Sequence, residues 1–179
     1  FRHRPFATVS EKAKENSITL MAPSKTFNIA GIVSSFAVIH NPELRKQYLN
    51  YLAPRELDQA TIYALAATEA AYNYGAEWLD QALAYIQKNI DFVENYLKEY
   101  IPQINAAKSE ATFLVWLDCR ALNLTQQELV DLFVNKAKLA LNDGTVFGKE
   151  GEGFMRLNVG TPLSNIEKAL DNLRKALNS

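Results

Sequence analysis

Leu79, Leu83, Ile86, Ile90, Val93 and Leu97 recur at spacings of four, three, four, three and four residues. That rhythm lays one apolar stripe along a helix. It predicts a helix over residues 77–100, about 36 Å long at 1.5 Å per residue and able to join two domains. Pro102 stops it. Upstream, Leu57 to Tyr74 is rich in Ala and Leu and reads as a helix that Gly75 ends. Asn41 followed by Pro42 marks another helix start, running to about Tyr51 before Pro54. Ser10 to Glu15 predicts a short helix. Ser17 to Met21 and Val33 to Ile39 are apolar, β-branched runs of strand length. The stretch between them, APSKTFNIAG, has the Pro, Ser, Asn and Gly of a loop.

Beyond Pro102 the pattern changes. Thr112 to Leu117 and Phe154 to Val159 read as strands. Thr125 and Glu128 form a capping-box pair that predicts a helix to about Lys138. Short strands are expected at Leu139–Leu141 and Thr145–Phe147, around an Asn142-Asp143-Gly144 turn. A second capping box, Ser164 with Glu167 after Pro162, opens a final helix striped by Ile166, Leu170, Leu173 and Leu177. From about residue 105 the order reads β-α-β-β-α, a small α+β layer.

Composition narrows the function classes. The net charge is -1, without a run of one sign, so nothing points to nucleic acid. A single cysteine, Cys119, excludes an internal disulfide and fits a reducing, cytoplasmic setting. No apolar run approaches the ~20 residues that span a bilayer, and the FRHRPF start does not read as a signal peptide. His3 and His40 have no metal-ligand spacing. Serine in a G-x-S-x-G context and a glycine-rich phosphate loop are both missing. Tyr72, Tyr74, Trp78 and Tyr85 read as helix-packing residues, and Cys119 as a small buried one.

Two residues carry candidate chemistry. Lys25 follows a predicted strand among apolar neighbours, where a lysine amine can become a nucleophile toward an aldehyde. Ser24 beside it can donate to a phosphate. From local sequence alone a solvated loop lysine is the commoner case. Arg156 lies within a strand, on the face opposite Met155 and Leu157. Its planar fork matches a carboxylate, though a solvated or ion-paired strand arginine is again commoner.

The segment SKTFNIAG at 24–31, after the strand SITLMAP, resembles the lysine segment of fold-type I pyridoxal 5'-phosphate (PLP) enzymes. More narrowly it is similar to the MalY/PatB cystathionine β-lyases, or C–S lyases. The likeness runs through HRPFATVSE at 3–11, EAAYNYGAEWLDQALAYIQKNIDFV at 69–93 and ATFLVWLDCRALNL at 111–124. It continues in GTVFGKEGEGFMRLNVGTPLSNIEKAL at 144–170.

The resemblance implies an α/β, aspartate aminotransferase-like fold. Residues 1–82 would be the C-terminal part of the large cofactor domain, and residues 83–179 a small α+β domain beyond the long helix. It implies a cytoplasmic homodimer whose active site borrows residues across the interface. Lys25 would hold PLP by a Schiff base and then move the substrate's α-proton. Ser24 would contact the cofactor phosphate and Arg156 the substrate α-carboxylate. The reaction would be α,β-elimination of L-cystathionine or a related cysteine thioether. Two departures accompany the likeness. Many aminotransferases of this fold carry a phosphate-binding arginine eight residues past the lysine, where this chain has Val33. Family members are also more than twice this length, so the resemblance implies a C-terminal half, with strands 17–21 and 33–39 short of pairing partners. An aminotransferase, and an inert fragment serving only dimerisation or binding, stay open as alternatives.

Overall fold

The computed structural model describes residues 3–178. The chain divides into two compact units, one ending at Gln81 and the other beginning at Ala82.

In the first unit, α1 (Glu11–Glu15) starts at Ser10, whose hydroxyl accepts the Ala13 N–H at 3.1 Å. β1 (Thr19–Met21) and β2 (Phe36–Val38) pair antiparallel, Leu20 opposite Ala37. The expectation that these strands are short of partners changes in part: they pair with each other along one edge, and among the described residues neither has a partner on its other edge. The stretch between them is not all loop. Residues Pro23–Thr26 form a single helical turn, α2, with Pro23 in the first turn, where its missing N–H breaks no bond. α3 (Pro42–Leu52) is capped by Asn41, which accepts from the N–H groups of Glu43 and Leu44. α4 (Ile62–Tyr74) starts later than the Leu57 expected, because Thr61 supplies the cap to the Ala64 N–H. Gly75 then ends it. A Cβ at Gly75 would lie 2.4 Å from the Ala71 carbonyl oxygen and 2.8 Å from the Phe27 ring, so only glycine fits.

This unit buries little. Among its described residues only Ala13, Pro23, Ile39 and Ala64 are buried. Ile62, Tyr63 and Tyr74 are 83%, 81% and 84% exposed, so Tyr74 does not pack as expected.

α5 (Ala76–Tyr100) begins in the first unit and ends in the second. Within the second unit its stripe works as the spacing predicts: Ile90, Val93 and Leu97 are buried. Leu83 of the same stripe is 56% exposed.

The second unit holds a four-stranded antiparallel sheet in the order β3-β4-β6-β5: β3 (Asn105–Ala106), β4 (Leu114–Asp118), β6 (Phe154–Asn158) and β5 (Asn142–Asp143). Val115, Leu117, Met155 and Leu157 point to one face. They join one core with Leu129 and Phe133 and with Ile166, Leu170 and Leu173 of the last helix, α7 (Leu163–Leu177). The other face carries Trp116, Asp118, Phe154 and Arg156.

The Thr125–Glu128 capping box forms in full at α6 (Gln126–Asp131), but the α-helix there is short. It passes into a π-helical turn, Leu132–Lys136, rather than running on as α-helix to Lys138. Four expectations near the end of the chain change. Leu139–Leu141 is not a strand, because the pairing with β6 begins only at Asn142. Asn142–Asp143 is a strand paired with β6 instead of a turn, with Asn142 opposite Arg156. Thr145–Phe147 lies in a 3-10 turn, because the Asp143 carboxylate accepts the Thr145 N–H at 2.8 Å and starts it. The Ser164–Glu167 box does not form. The helix begins earlier, at Leu163 with Pro162 as its cap, which puts Ser164 inside the first turn; the Leu163 N–H donates to the Tyr85 hydroxyl at 2.8 Å. Among the described residues no helix is long and apolar enough to cross a membrane.

Candidate active site

Lys25 sits in α2, the single turn between β1 and the loop to β2. Its side chain is exposed, and among the described residues it makes no hydrogen bond or ion pair. Ser24 is half-buried, and its hydroxyl is equally uncommitted; its carbonyl accepts the Ile29 N–H at 2.9 Å. The Phe27 N–H donates to the Pro23 carbonyl and closes the turn. Phe27 then anchors it: its ring meets Tyr72 edge-on at 5.5 Å and Trp78 at 6.4 Å, and Phe36 also meets Tyr72. These aromatic contacts make Tyr72 and Trp78 packing residues, as the sequence indicates. They hold the backbone beneath Lys25 while leaving its amine free.

The segment after Lys25 is strained. Asn28 and Val33 have φ of 54° and 52°. Asparagine tolerates this left-handed region, whereas a β-branched valine is an outlier there. Val33 occupies the position eight residues past Lys25 and is 83% exposed.

Arg156 and its surroundings belong to the second unit. The β4–β6 register sets Arg156 opposite Trp116, and the β5–β6 register sets it opposite Asn142. Its Nη2 donates to Asn142 Oδ1 at 2.9 Å, and its guanidinium carbon lies 4.4 Å from the centre of the Phe147 ring. The Nε is closed to solvent without an acceptor. Arg156 is therefore half-buried and free of any carboxylate among the described residues, not the ion-paired strand arginine that local sequence left open. Asn142 and Phe147 were not legible as site residues. Only the register and the loop geometry bring them to Arg156.

The neighbouring charges have other work. Arg120 donates from Nε and Nη2 to both oxygens of Asp118, at 2.9 and 2.7 Å. These hydrogen bonds hold the Asp118 carboxyl below its usual range. The pair lines a shallow cleft of about 430 Å³ with Pro102, Gln103, Asn105 and Ala121, none of them a residue that carries candidate chemistry. Cys119 is buried, and burial, with Asp118 adding to it, pushes its thiol up to about 12. It is a packing residue at neutral pH. His3 and His40 are exposed, and no cluster of three metal-binding side chains occurs among the described residues.

No family model matches the chain. Individual proteins do. It is 39% identical to cystathionine β-lyase PatB of Bacillus subtilis over 98% of its length, covering 46% of that protein. It is 34% identical to the protein MalY of Escherichia coli, over 98% of the chain and 44% of the relative. The chain thus spans about half the length of the curated relatives it matches. Among solved structures, a PLP-bound protein from Clostridium difficile 630 superposes with a TM-score of 0.94 at 40% identity, covering 98% of this chain and 46% of that one. Cystalysin from Treponema denticola, which contains a PLP cofactor, superposes with a TM-score of 0.89 at 32% identity, covering 99% and 45%. The mixed α/β fold read from the sequence is that of these PLP proteins. The resemblance to the MalY/PatB cystathionine β-lyases is borne out along nearly the whole chain, at a little under half the length of those relatives.

Proposed function

We propose that this chain supplies the cofactor lysine and the carboxylate-binding arginine of a PLP-dependent C–S β-lyase. One observation carries the reading: 39% identity to PatB over 98% of the chain, in a segment that includes Lys25.

The residues suit the cofactor. PLP needs an accessible primary amine, and Lys25 offers one that no other described side chain engages. A phosphate needs donors, and the free Ser24 hydroxyl is one residue away. When bound, the cofactor supplies an aldehyde for amines and a ring that takes up electrons from the substrate α-carbon. Lys25 would hold it, and once displaced by the substrate amine, the Lys25 Nζ would take the α-proton. Ser24 would donate to its phosphate. Arg156 would bind the substrate α-carboxylate through its fork and fix which bond at the α-carbon is presented to the base. The overall change is a cysteine thioether plus water giving pyruvate, ammonia and a thiol, with the β-carbon–sulfur bond broken. L-Cystathionine and related S-substituted cysteines are the substrate class.

A cytoplasmic homodimer goes with this reading. The dimer is supported by the apolar side chains that the first unit leaves exposed, Val33, Ile62 and Tyr63 among them, which assembly would cover.

The test starts with PLP added to the protein, borohydride reduction and peptide mapping. Label on Lys25 is expected, and label elsewhere refutes the assignment. Incubation with L-cystathionine should then give pyruvate without an added keto acid. A keto-acid requirement would make the protein an aminotransferase instead.

A further inference from the structure

Resting on the reading of Arg156 as the carboxylate-binding residue, we propose that Phe147 and Asn142 are positioning residues that fix the direction of its guanidinium fork.

The fork has five N–H groups. One hydrogen of Nη2 goes to Asn142 Oδ1 at 2.9 Å, and Nε is shut away from solvent without an acceptor. Nη1 and the second Nη2 hydrogen are left without a partner among the described residues. The guanidinium carbon lies over the Phe147 ring, 4.4 Å from the ring centre. Two different constraints therefore act on one planar group. The hydrogen bond fixes where Nη2 points, and the ring limits how far the guanidinium can move toward that side. A fork so held presents the same edge to every incoming carboxylate, and no rotamer search precedes binding.

The positioning residues are themselves held. Trp116 meets Phe147 edge-on at 5.7 Å and stacks on Phe154 at 5.5 Å, so the ring over Arg156 ends a chain of aromatic contacts across the open face of the sheet. The backbone under Phe147 is fixed by close approach. A Cβ at Gly144 would lie 2.2 Å from the Gly151 carbonyl oxygen, and one at Gly151 2.0 Å from that of Gly144. Only glycine at both positions lets the two ends of the loop touch. Asn142 is placed by its pairing directly opposite Arg156. Its amide is neutral, so it orients the arginine without neutralising the charge that a carboxylate substrate needs.

The experiment uses the ¹⁵N-labelled chain and follows the Arg156 Nε–H signal by NMR, assigned with Arg156→Lys. L-Alanine, an α-amino carboxylate without a leaving group, is the titrant. In the unsubstituted chain alanine should move this signal saturably. Phe147→Leu and Asn142→Ala should each weaken alanine binding about threefold to tenfold. Asn142→Asp should weaken it more than Asn142→Ala, because its carboxylate would compete for the fork. Phe147→Leu should also speed exchange of the Arg156 Nε hydrogen with water, while methyl signals of Val115 and Leu173 in the core stay put. Unchanged alanine affinity in Phe147→Leu and Asn142→Ala, with unchanged Nε–H exchange, would overturn the positioning role. If alanine fails to move Arg156 even in the unsubstituted chain, the carboxylate reading falls; the exchange rates still decide whether Phe147 holds the guanidinium.

Discussion

Asn89 is fully buried on α5, and Asn89→Ala should be among the more damaging single changes in the second unit. Its Nδ2 donates both hydrogens, to the carbonyls of Val159 and Thr161, each at 2.9 Å. These carbonyls belong to the turn that leaves β6, three and five residues past Arg156. Alanine removes two hydrogen bonds, worth about 1 kcal/mol each, and strands a buried carbonyl at a further ~1–2 kcal/mol. One term opposes this: Asn89 Oδ1 is itself buried without a partner, and its loss returns about 1 kcal/mol. The net expectation is about 2–3 kcal/mol, or roughly 5–10 °C in Tm for a chain of this size. Denaturant unfolding followed by tryptophan fluorescence should show a lower midpoint with an unchanged slope. Asn89→Asp separates the bonds from the packing, since it keeps the shape but aims oxygen at two carbonyls. A carboxyl there would have its folded pKa raised above the unfolded value near 3.9. Its stability relative to the parent should therefore be best below that value and fall as pH rises toward the folded pKa. A Tm change under 2 °C for Asn89→Ala, or an Asp variant no worse than the Ala variant at pH 7, would refute the reasoning.

Other changes test single features of the fold. Val33→Asn relieves a β-branched residue at φ 52° and loses little burial, so unfolding should show a gain of about 1 kcal/mol. Thr125→Ala removes the hydroxyl that caps the Glu128 N–H and should cost about 1 kcal/mol at neutral pH. Hydrogen bonds from Thr125 lower the Glu128 pKa, so their stabilisation is present above its ordinary value of 4.5 and lost as pH falls through the lowered folded one. The cost of Thr125→Ala should accordingly shrink in acid titrations of stability. Cys119, with its thiol pushed to about 12, should react with an aromatic disulfide at pH 8 at least about a hundredfold more slowly in the native chain than in denaturant.

What could be read ahead of the structure was whatever rests on local rules. The α5 stripe at Ile90, Val93 and Leu97, the Asn41 cap and the Thr125–Glu128 box each involve residues within a few positions of one another, and each forms. The expectations that changed turn on where an element begins or what it pairs with. Ser164 and Glu167 have the spacing of a capping box, yet the helix begins at Leu163 and puts Ser164 inside its first turn. Asn142-Asp143-Gly144 has turn composition, yet β6 offers a strand edge and pairs with Asn142 and Asp143. Ladder hydrogen bonds then outweigh the local turn preference. The pairing of β1 with β2 is a similar case: the two strands meet across the Lys25 segment, which leaves one edge of each without a partner among the described residues.

The candidate site divides along the same line. Lys25 is an exposed, unpartnered lysine, and no local pattern distinguishes it from a surface residue; long blocks of likeness single it out. Arg156 could be placed on the polar side of its strand by alternation alone. What alternation could not reveal is why this arginine lacks a carboxylate partner. The contacts answer that. Trp116, Phe147 and Phe154 surround the position with rings, and the nearest acidic side chain on the same face of the paired strands, Asp118, is already held by Arg120 through two hydrogen bonds. Arg120 thus engages the acidic side chain of that face, and Arg156 is left without a carboxylate among the described residues.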